Sequence, residues 1–437
     1  MLESVKNAFR MKEIRQKLLY TLAMMVVIRI GSQLPAPGID RTYFSNWFAA
    51  QTGDTFSFVD AFTGGSFLNM SILALNITPY ITSSIIIQLL TIAIPKLEEM
   101  QKEGEEGRKL LVSITRYVTV ALALMESAAM AIGFGRQGLL EKYNAISIIM
   151  VICTLTAGSA FLMWVGEQIT EKGVGNGISI VLAINIISRM PQDIASLFSQ
   201  FVIGKPIAIG AVAAVIIIAI IVLMVVMVIF LNDAERRIPV QYAQKIQGRR
   251  LVGGANSVIP LKVNTAGVMP IIFASSLMEF PVIISTLAGY KGTGIWSEVL
   301  RYLSSSYWCN PGQIKYTLGM LVYIALLIFF AYFYTSITFN PLEIADNLKK
   351  RGGFIPGIRP GKPTSDYLNR ILNYIIFIGA IGLTIVGILP FFFRGVFNAS
   401  VSFGGTSLII VVSVVLETIK QVESMMMVRN YKGFLNE

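Results

Sequence analysis

Thr78-Pro79-Tyr80-Ile81-Thr82-Ser83-Ser84-Ile85 and, far downstream, Met269-Pro270-Ile271-Ile272-Phe273-Ala274-Ser275-Ser276-Leu277 share one pattern: a proline, an Ile two residues later, then a Ser pair. A second pair matches as well. Gly177-Ile178-Ser179 has Leu182 five residues after its Gly, and Gly405-Thr406-Ser407 has Ile410 five after its own. These stretches fall in the second and fifth apolar runs of two successive sets of five. A Gly- or Pro-interrupted span at matching places in both halves is the sequence mark of an internal repeat in membrane proteins. Because five is odd, the two halves lie in opposite orientations across the bilayer.

The composition agrees with that frame. The 437 residues are 54% hydrophobic and only 14% charged, with mean hydropathy +0.67, which describes a multi-span membrane protein. The apolar runs lie at about Leu18 to Leu34, Ser71 to Ile94, Leu110 to Phe134, Ala145 to Gly166, Ile178 to Phe198, Ile207 to Leu231, Ala266 to Gly289, Tyr316 to Phe339, Leu372 to Phe393 and Thr406 to Ile419. Most approach the roughly 20 residues that a helix needs to cross a bilayer core. The expected fold class is therefore an all-α polytopic membrane protein of ten transmembrane helices in two inverted five-helix halves, residues 1–200 and 201–437. The first run has a basic leader like a secretory signal, but Arg29 interrupts it and Leu34-Pro35-Ala36-Pro37 is a poor cleavage site, so it reads as a retained span.

Lys and Arg set the orientation. Counting Arg189, inside the fifth run, with the loop beyond it, they divide 25 to 9 on alternate sides, with Arg29 and Arg116 inside spans, and the richer side includes both termini. Both termini are thus expected in the cytoplasm. The two longest loops on that side, 232–265 and 340–370, hold six Lys or Arg each. Generic retention and anionic-lipid contact account for basic loops. The second loop adds Gly/Pro turns that would fix its shape.

The sequence has no His, which excludes a Ser-His-Asp triad, His-ligated zinc or haem, and any His proton relay. Cys153 and Cys309 are not expected to meet. Gly173-Val174-Gly175-Asn176-Gly177 lacks the Lys-Ser/Thr of a P-loop, so no cofactor is expected and energy has to come from a partner. If the repeat arranges spans 2, 5, 7 and 10 around a central path, the side chains facing it are Ile77, Ile81, Ile178, Leu182, Ile272 and Ile410. An aliphatic lining cannot coordinate an ion, but it closes a pore by dewetting and yields to a bulky passenger. A small-solute transporter would share the repeat yet need a polar midplane site.

Longer motifs carry a resemblance. Asn340-Pro341-Leu342-Glu343-Ile344-Ala345-Asp346-Asn347-Leu348-Lys349-Lys350 with Phe354-Ile355-Pro356-Gly357-Ile358-Arg359-Pro360-Gly361, Met163-Trp164-Val165-Gly166-Glu167-Gln168-Ile169-Thr170, and Phe403-Gly404-Gly405-Thr406-Ser407 resemble the bacterial SecY family, channel subunits of the Sec protein translocase. The resemblance runs from leader to tail. It implies a clamshell in the bacterial cytoplasmic membrane that conducts unfolded preproteins and opens sideways to lipid. It also implies SecE and SecG as companion subunits, signal peptides as ligands, and the SecA ATPase or the ribosome as motor.

Carried over residue by residue, the family's pore ring falls on the six aliphatic positions above, with Leu182 keeping the seal but not the β-branched shape. The plug, a short helix, maps to about 60–73, including Asp60, Phe62, Gly64, Gly65, Phe67 and Leu68. The lateral gate, spans 2 and 3 against 7 and 8, includes Gln88, Glu126, Glu279 and Phe280; Glu279 is a carboxylate where the family pattern is apolar. Partner docking would fall on Arg236, Arg237, Lys245, Arg249, Arg250, Lys349, Lys350, Arg351 and Arg359, with Arg359 the first candidate for coupling.

Overall fold

A computed structural model describes residues 9–40, 44, 63–135, 138, 140, 142–242, 245–247, 250–252, 256–287, 294–397 and 405–434. Each of the ten apolar runs falls at least in part on a helix. In the first set these are α1 (Lys12–Gln33), α2 (Thr78–Ala93), continued by the short α3 (Pro95–Lys102), α4 (Glu105–Gly135), α5 (Ala145–Lys172) and α6 (Gly177–Phe201). In the second set they are α7 (Ile207–Asp233), α8 (Met269–Leu287), then α9 (Ile295–Leu303) outside the runs, α10 (Leu318–Thr338), α11 (Pro341–Lys350) in a loop, α12 (Lys362–Phe397) and α13 (Gly405–Phe434). Among the described residues, six helices (α4, α5, α6, α7, α10 and α12) are long and apolar enough to cross a membrane by length and composition alone. The pair α2 and α3 makes a seventh if counted as one span, though it bends by 105°. Pro95 explains the bend, since it forces Ile94 out of the helical region, to φ −113° and ψ 110°. Helix α1 falls short because Lys12, Glu13, Arg15, Lys17 and Arg29 dilute its hydropathy.

The second run begins in the sequence at Ser71, but its helix begins only at Thr78. Residues 64–77 are almost all turns, because Met70 (φ 42°) and Asn76 (φ 52°) adopt left-handed backbone and Pro79 suits the first turn of a new helix. This segment is nevertheless deeply packed. At Gly158 of α5 a Cβ would stand 1.8 Å from the Ile72 carbonyl oxygen, so helix and turn backbone are in direct contact.

Helix α4 packs on α2 and α5, and α5 on α6 and α1; in the second set α8 packs on α10, α10 on α12, and α13 on α7 and α12. Helix α6 joins the two sets through α13 and α7, and α4 joins them through α8. Two polar pairs link helices of the first set: Ser83 and Thr119 hydroxyls lie 2.5 Å apart between α2 and α4, and Arg116 Nε donates to Glu167 Oε1 at 2.7 Å between α4 and α5.

The loops depart from an all-α expectation. After α7 come β1 (Glu235–Tyr242), β2 (Lys245–Gln247), β3 (Arg250–Val252) and β4 (Asn256–Lys262); β5 (Gly353–Phe354) lies in the second basic loop. Strands β4, β1 and β5 form one antiparallel sheet in that order, with Ile238 opposite Ile259 and Tyr242 opposite Gly353. Ile238, Val240 and Leu261 point into a core with Leu348, Ile355 and Leu368. The two basic loops thus fold together, a tertiary contact that no local pattern announces.

Candidate pore ring, plug and gate

The six matched aliphatic residues come from four helices. Ile77 precedes the first turn of α2 and Ile81 lies in it; Ile178 and Leu182 sit in the first two turns of α6, Ile272 in the first turn of α8 and Ile410 in the second turn of α13. All six belong to one apolar cluster. Ile77, Leu182 and Ile410 are buried in it, and Ile81, Ile178 and Ile272 pack against it half-buried. Leu73, Ile180, Val181 and Val414 complete its centre. Helix α6 is aimed by its cap: the Asn176 carboxamide oxygen accepts from Ile178 N at 3.1 Å and Ser179 N at 3.3 Å, a side-chain cap of the kind asparagine favours.

Of the expected plug, Asp60 and Phe62 lie outside the described residues. Gly64 and Gly65 form a left-handed turn (φ 65° and 84°) rather than helix. Gly64 is pressed onto α6, where a Cβ would come 2.6 Å from the Asn185 carbonyl oxygen; no other residue fits. Phe67 is buried with Phe44, Met70 and Phe134, its ring 5.9 Å from that of Phe44, while Leu68 is half-exposed.

Three polar groups at this turn were not anticipated. Arg29 of α1 approaches the Gly64 carbonyl at 3.5 Å. Asn185 Nδ2 donates to Asn76 Oδ1 at 3.0 Å, fully buried. The available signal was Asn185 three residues after Leu182, a lone amide on the same aliphatic helix face.

In the gate region, Gln88 and Glu126 are half-buried and Glu279 is buried. Glu126 has no hydrogen-bond or ion-pair partner among the described residues, whereas Glu279 lies within electrostatic range of Tyr323 on α10. Phe280, expected beside them, is 63% exposed. Helix α4, which carries Glu126, touches α8, which carries Glu279 and Phe280.

Of the basic residues, Arg236 and Arg237 are exposed on β1, the latter paired with Glu235 at 2.7 Å. Lys349, Lys350 and Arg351 end α11 exposed, and Arg359 projects from the following loop. Lys245 lies on β2 and Arg250 on β3; Arg249 lies outside the described residues.

With this geometry in view, the protein-family model described as SecY matches residues 71–419, which include the whole ring and both basic loops. The chain belongs to the SecY family. It is 43% identical to the protein translocase subunit SecY of Streptomyces galbus, covering all of both chains. It is 40% identical to that of Corynebacterium glutamicum, covering 99% of this chain and all of the other. Among solved structures it shares the fold of Sec61 in the canine ribosome-channel complex from the endoplasmic reticulum (TM-score 0.62, 19% identity, 93% of this chain and 91% of that one). A SecY whose plug domain stabilises the closed state of the translocation channel and maintains a membrane seal overlays at TM-score 0.60, with 19% identity and the same coverage. The long SecY motifs thus have a structural meaning here. Asn340, for example, caps α11 by accepting from Leu342 N at 3.2 Å.

Proposed function

We propose that this multi-pass membrane protein is the channel subunit of a protein translocase, passing unfolded secretory polypeptides across the membrane and releasing apolar segments sideways into it. The observation that carries the proposal is the convergence of six aliphatic residues from four helices into one cluster where the two sets of spans meet. Full-length relatives that are translocase subunits support it. The chain itself would be no enzyme; SecA or a ribosome would supply the energy, and SecE and SecG would complete the assembly. Residues 1–200 and 201–437 act as two jaws, with 60–73 as the plug. Both termini and the β-sheet loops face the cytoplasm across the bacterial cytoplasmic membrane, and the exposed cations of β1, α11 and the Arg359 loop receive the motor or anionic lipid.

The direct test is crosslinking. With Cys153 and Cys309 replaced, a stalled secretory chain is expected to crosslink to cysteines placed at Ile81 and Ile272, and not to one at lipid-facing Ile216. Equal labelling at all three sites rules the ring out as the path.

The same scheme gives Glu126 a role in the gate. A carboxylate at mid-membrane costs about 2.5–3.5 kcal/mol on insertion scales, and Glu126 has no partner among the described residues to offset that cost. Glu126→Leu is expected to stabilise the closed state, raising signal-sequence stringency and lowering resting ion leak. If both are unchanged in reconstituted vesicles, Glu126 plays no part in the gate.

A further inference from the structure

Helix α9 leaves part of its apolar side uncovered by the protein. At 100° per residue, Tyr302, Ile295, Val299, Leu303, Trp296 and Leu300 fall on one side, and Ser297, Glu298 and Arg301 on the other. A helix in an aqueous loop turns its apolar side inward. In α9, Ile295, Trp296 and Val299 are exposed (86%, 48% and 37%), while Leu303 packs against an apolar cluster and Tyr302 against the Tyr316 ring; Ser297 and Glu298 are half-buried and Arg301 is exposed.

The polar side is engaged from within the loop. Glu298 Oε2 accepts from Tyr316 Oη at 3.0 Å and from Lys315 Nζ at 3.3 Å. Arg301 Nη1 lies 3.8 Å from its other oxygen. The Tyr316 hydroxyl first, then Lys315, holds the Glu298 carboxyl below the usual carboxylate range, so it stays ionised and keeps its partners at neutral pH.

The uncovered part of the apolar side, Ile295, Trp296 and Val299, therefore needs a non-aqueous neighbour. Burying it is worth roughly 25 cal/mol per Å². Two observations choose lipid. Helix α10, on which α9 packs, reads as a span and exposes Leu318 and Leu321 in its first turn (58% and 57%), so the loop adjoins a lipid-facing surface. Trp296 Nε1 also donates to Ser285 Oγ at 3.1 Å, near the end of α8. That places the indole where one span ends and the next begins, the level at which Trp and Tyr concentrate in membrane proteins.

We propose that α9 is a membrane-docking helix lying in the headgroup region of the bilayer face opposite the β4–β1–β5 sheet, with Ile295, Trp296 and Val299 seated in lipid. Because α9 contacts both α8 and α10, it sets the depth of these two spans in the membrane. The inference rests on α8 and α10 being spans and not on the ring.

The test uses the full-length protein, with Cys153 and Cys309 replaced, in phosphatidylcholine–phosphatidylglycerol vesicles. Nitroxide labels are placed at Ile295, Val299 and, as control, Ser297, and their collisions with oxygen and with an aqueous nickel chelate are compared. Labels at Ile295 and Val299 are expected to give a positive depth parameter, favouring oxygen, and the label at Ser297 a negative one. In a Trp296→Glu variant the Ile295 label should become nickel-accessible while the spans stay folded. Nickel access at Ile295 in the parent protein overturns the proposal in favour of an aqueous loop. Shielding from both reagents overturns it in favour of a protein partner or a second copy of the chain.

Discussion

Replacing Ile410 by Asn is expected to make the resting channel leak ions. Ile410 is 1% exposed and shares one apolar cluster with the other five candidate ring residues, so the proposed seal would consist of aliphatic surface that water does not wet. An amide there has no partner in an otherwise aliphatic cluster, and burying it unpaired is unfavourable. The apolar burial lost is about 1.5–3 kcal/mol for one such side chain. At 1.4 kcal/mol per factor of ten, that is a roughly 10- to 100-fold gain in the wetted population. Voltage-clamped planar bilayers read this as raised resting conductance. Ile410→Val, which keeps branching and polarity, should stay tight. A tight Asn variant would remove Ile410 from the seal.

Charge reversal at Arg359 is expected to abolish ATP-driven translocation while leaving membrane insertion of the protein intact. Arg359 is exposed between Gly357 (φ 81°) and Gly361 (φ 102°), and its carbonyl accepts from Thr364 Oγ1 at 2.8 Å. The backbone is therefore fixed at the base of α12 and the side chain is free to meet a partner. Losing one member of a buried interfacial charge pair costs about 2–5 kcal/mol, or at least about 30-fold in affinity; Arg359→Glu goes further by adding repulsion. Uptake of a labelled precursor into proteoliposomes measures the effect, with the level of folded protein as control. Undiminished uptake would sink the assignment.

The helices were legible because the bilayer imposes a length and demands that every backbone group be satisfied within the span; each apolar run accordingly falls at least in part on a helix. The shared cluster of the six aliphatic residues was legible for another reason: the repeat relates Ile81 to Ile272 and Leu182 to Ile410 without any knowledge of packing. Where chain geometry overrides hydropathy, the sequence was silent. Ser71 to Ile77 continues an apolar run, yet Asn76 in left-handed backbone keeps it out of the helix. Gly64 was legible as small, but the reason for it is the Asn185 carbonyl on a distant helix. The alternation of Ile238 and Val240 with exposed neighbours was a period-2 signal too short to stand out beside the charges. Nothing local marked Gly353 as the partner of Tyr242.

That last pairing bears on how the molecule is made. Strands β1 and β4 are near in the chain and can pair as soon as both have left the ribosome. The third strand of their sheet is residues 353–354, which are synthesised only after α8, α9, α10 and α11. The surface carrying Arg236, Lys349 and Arg359 is thus assembled late, when eight of the ten apolar runs already exist. A half-synthesised chain cannot present it, and its completion reports that most of the membrane-embedded part has been built.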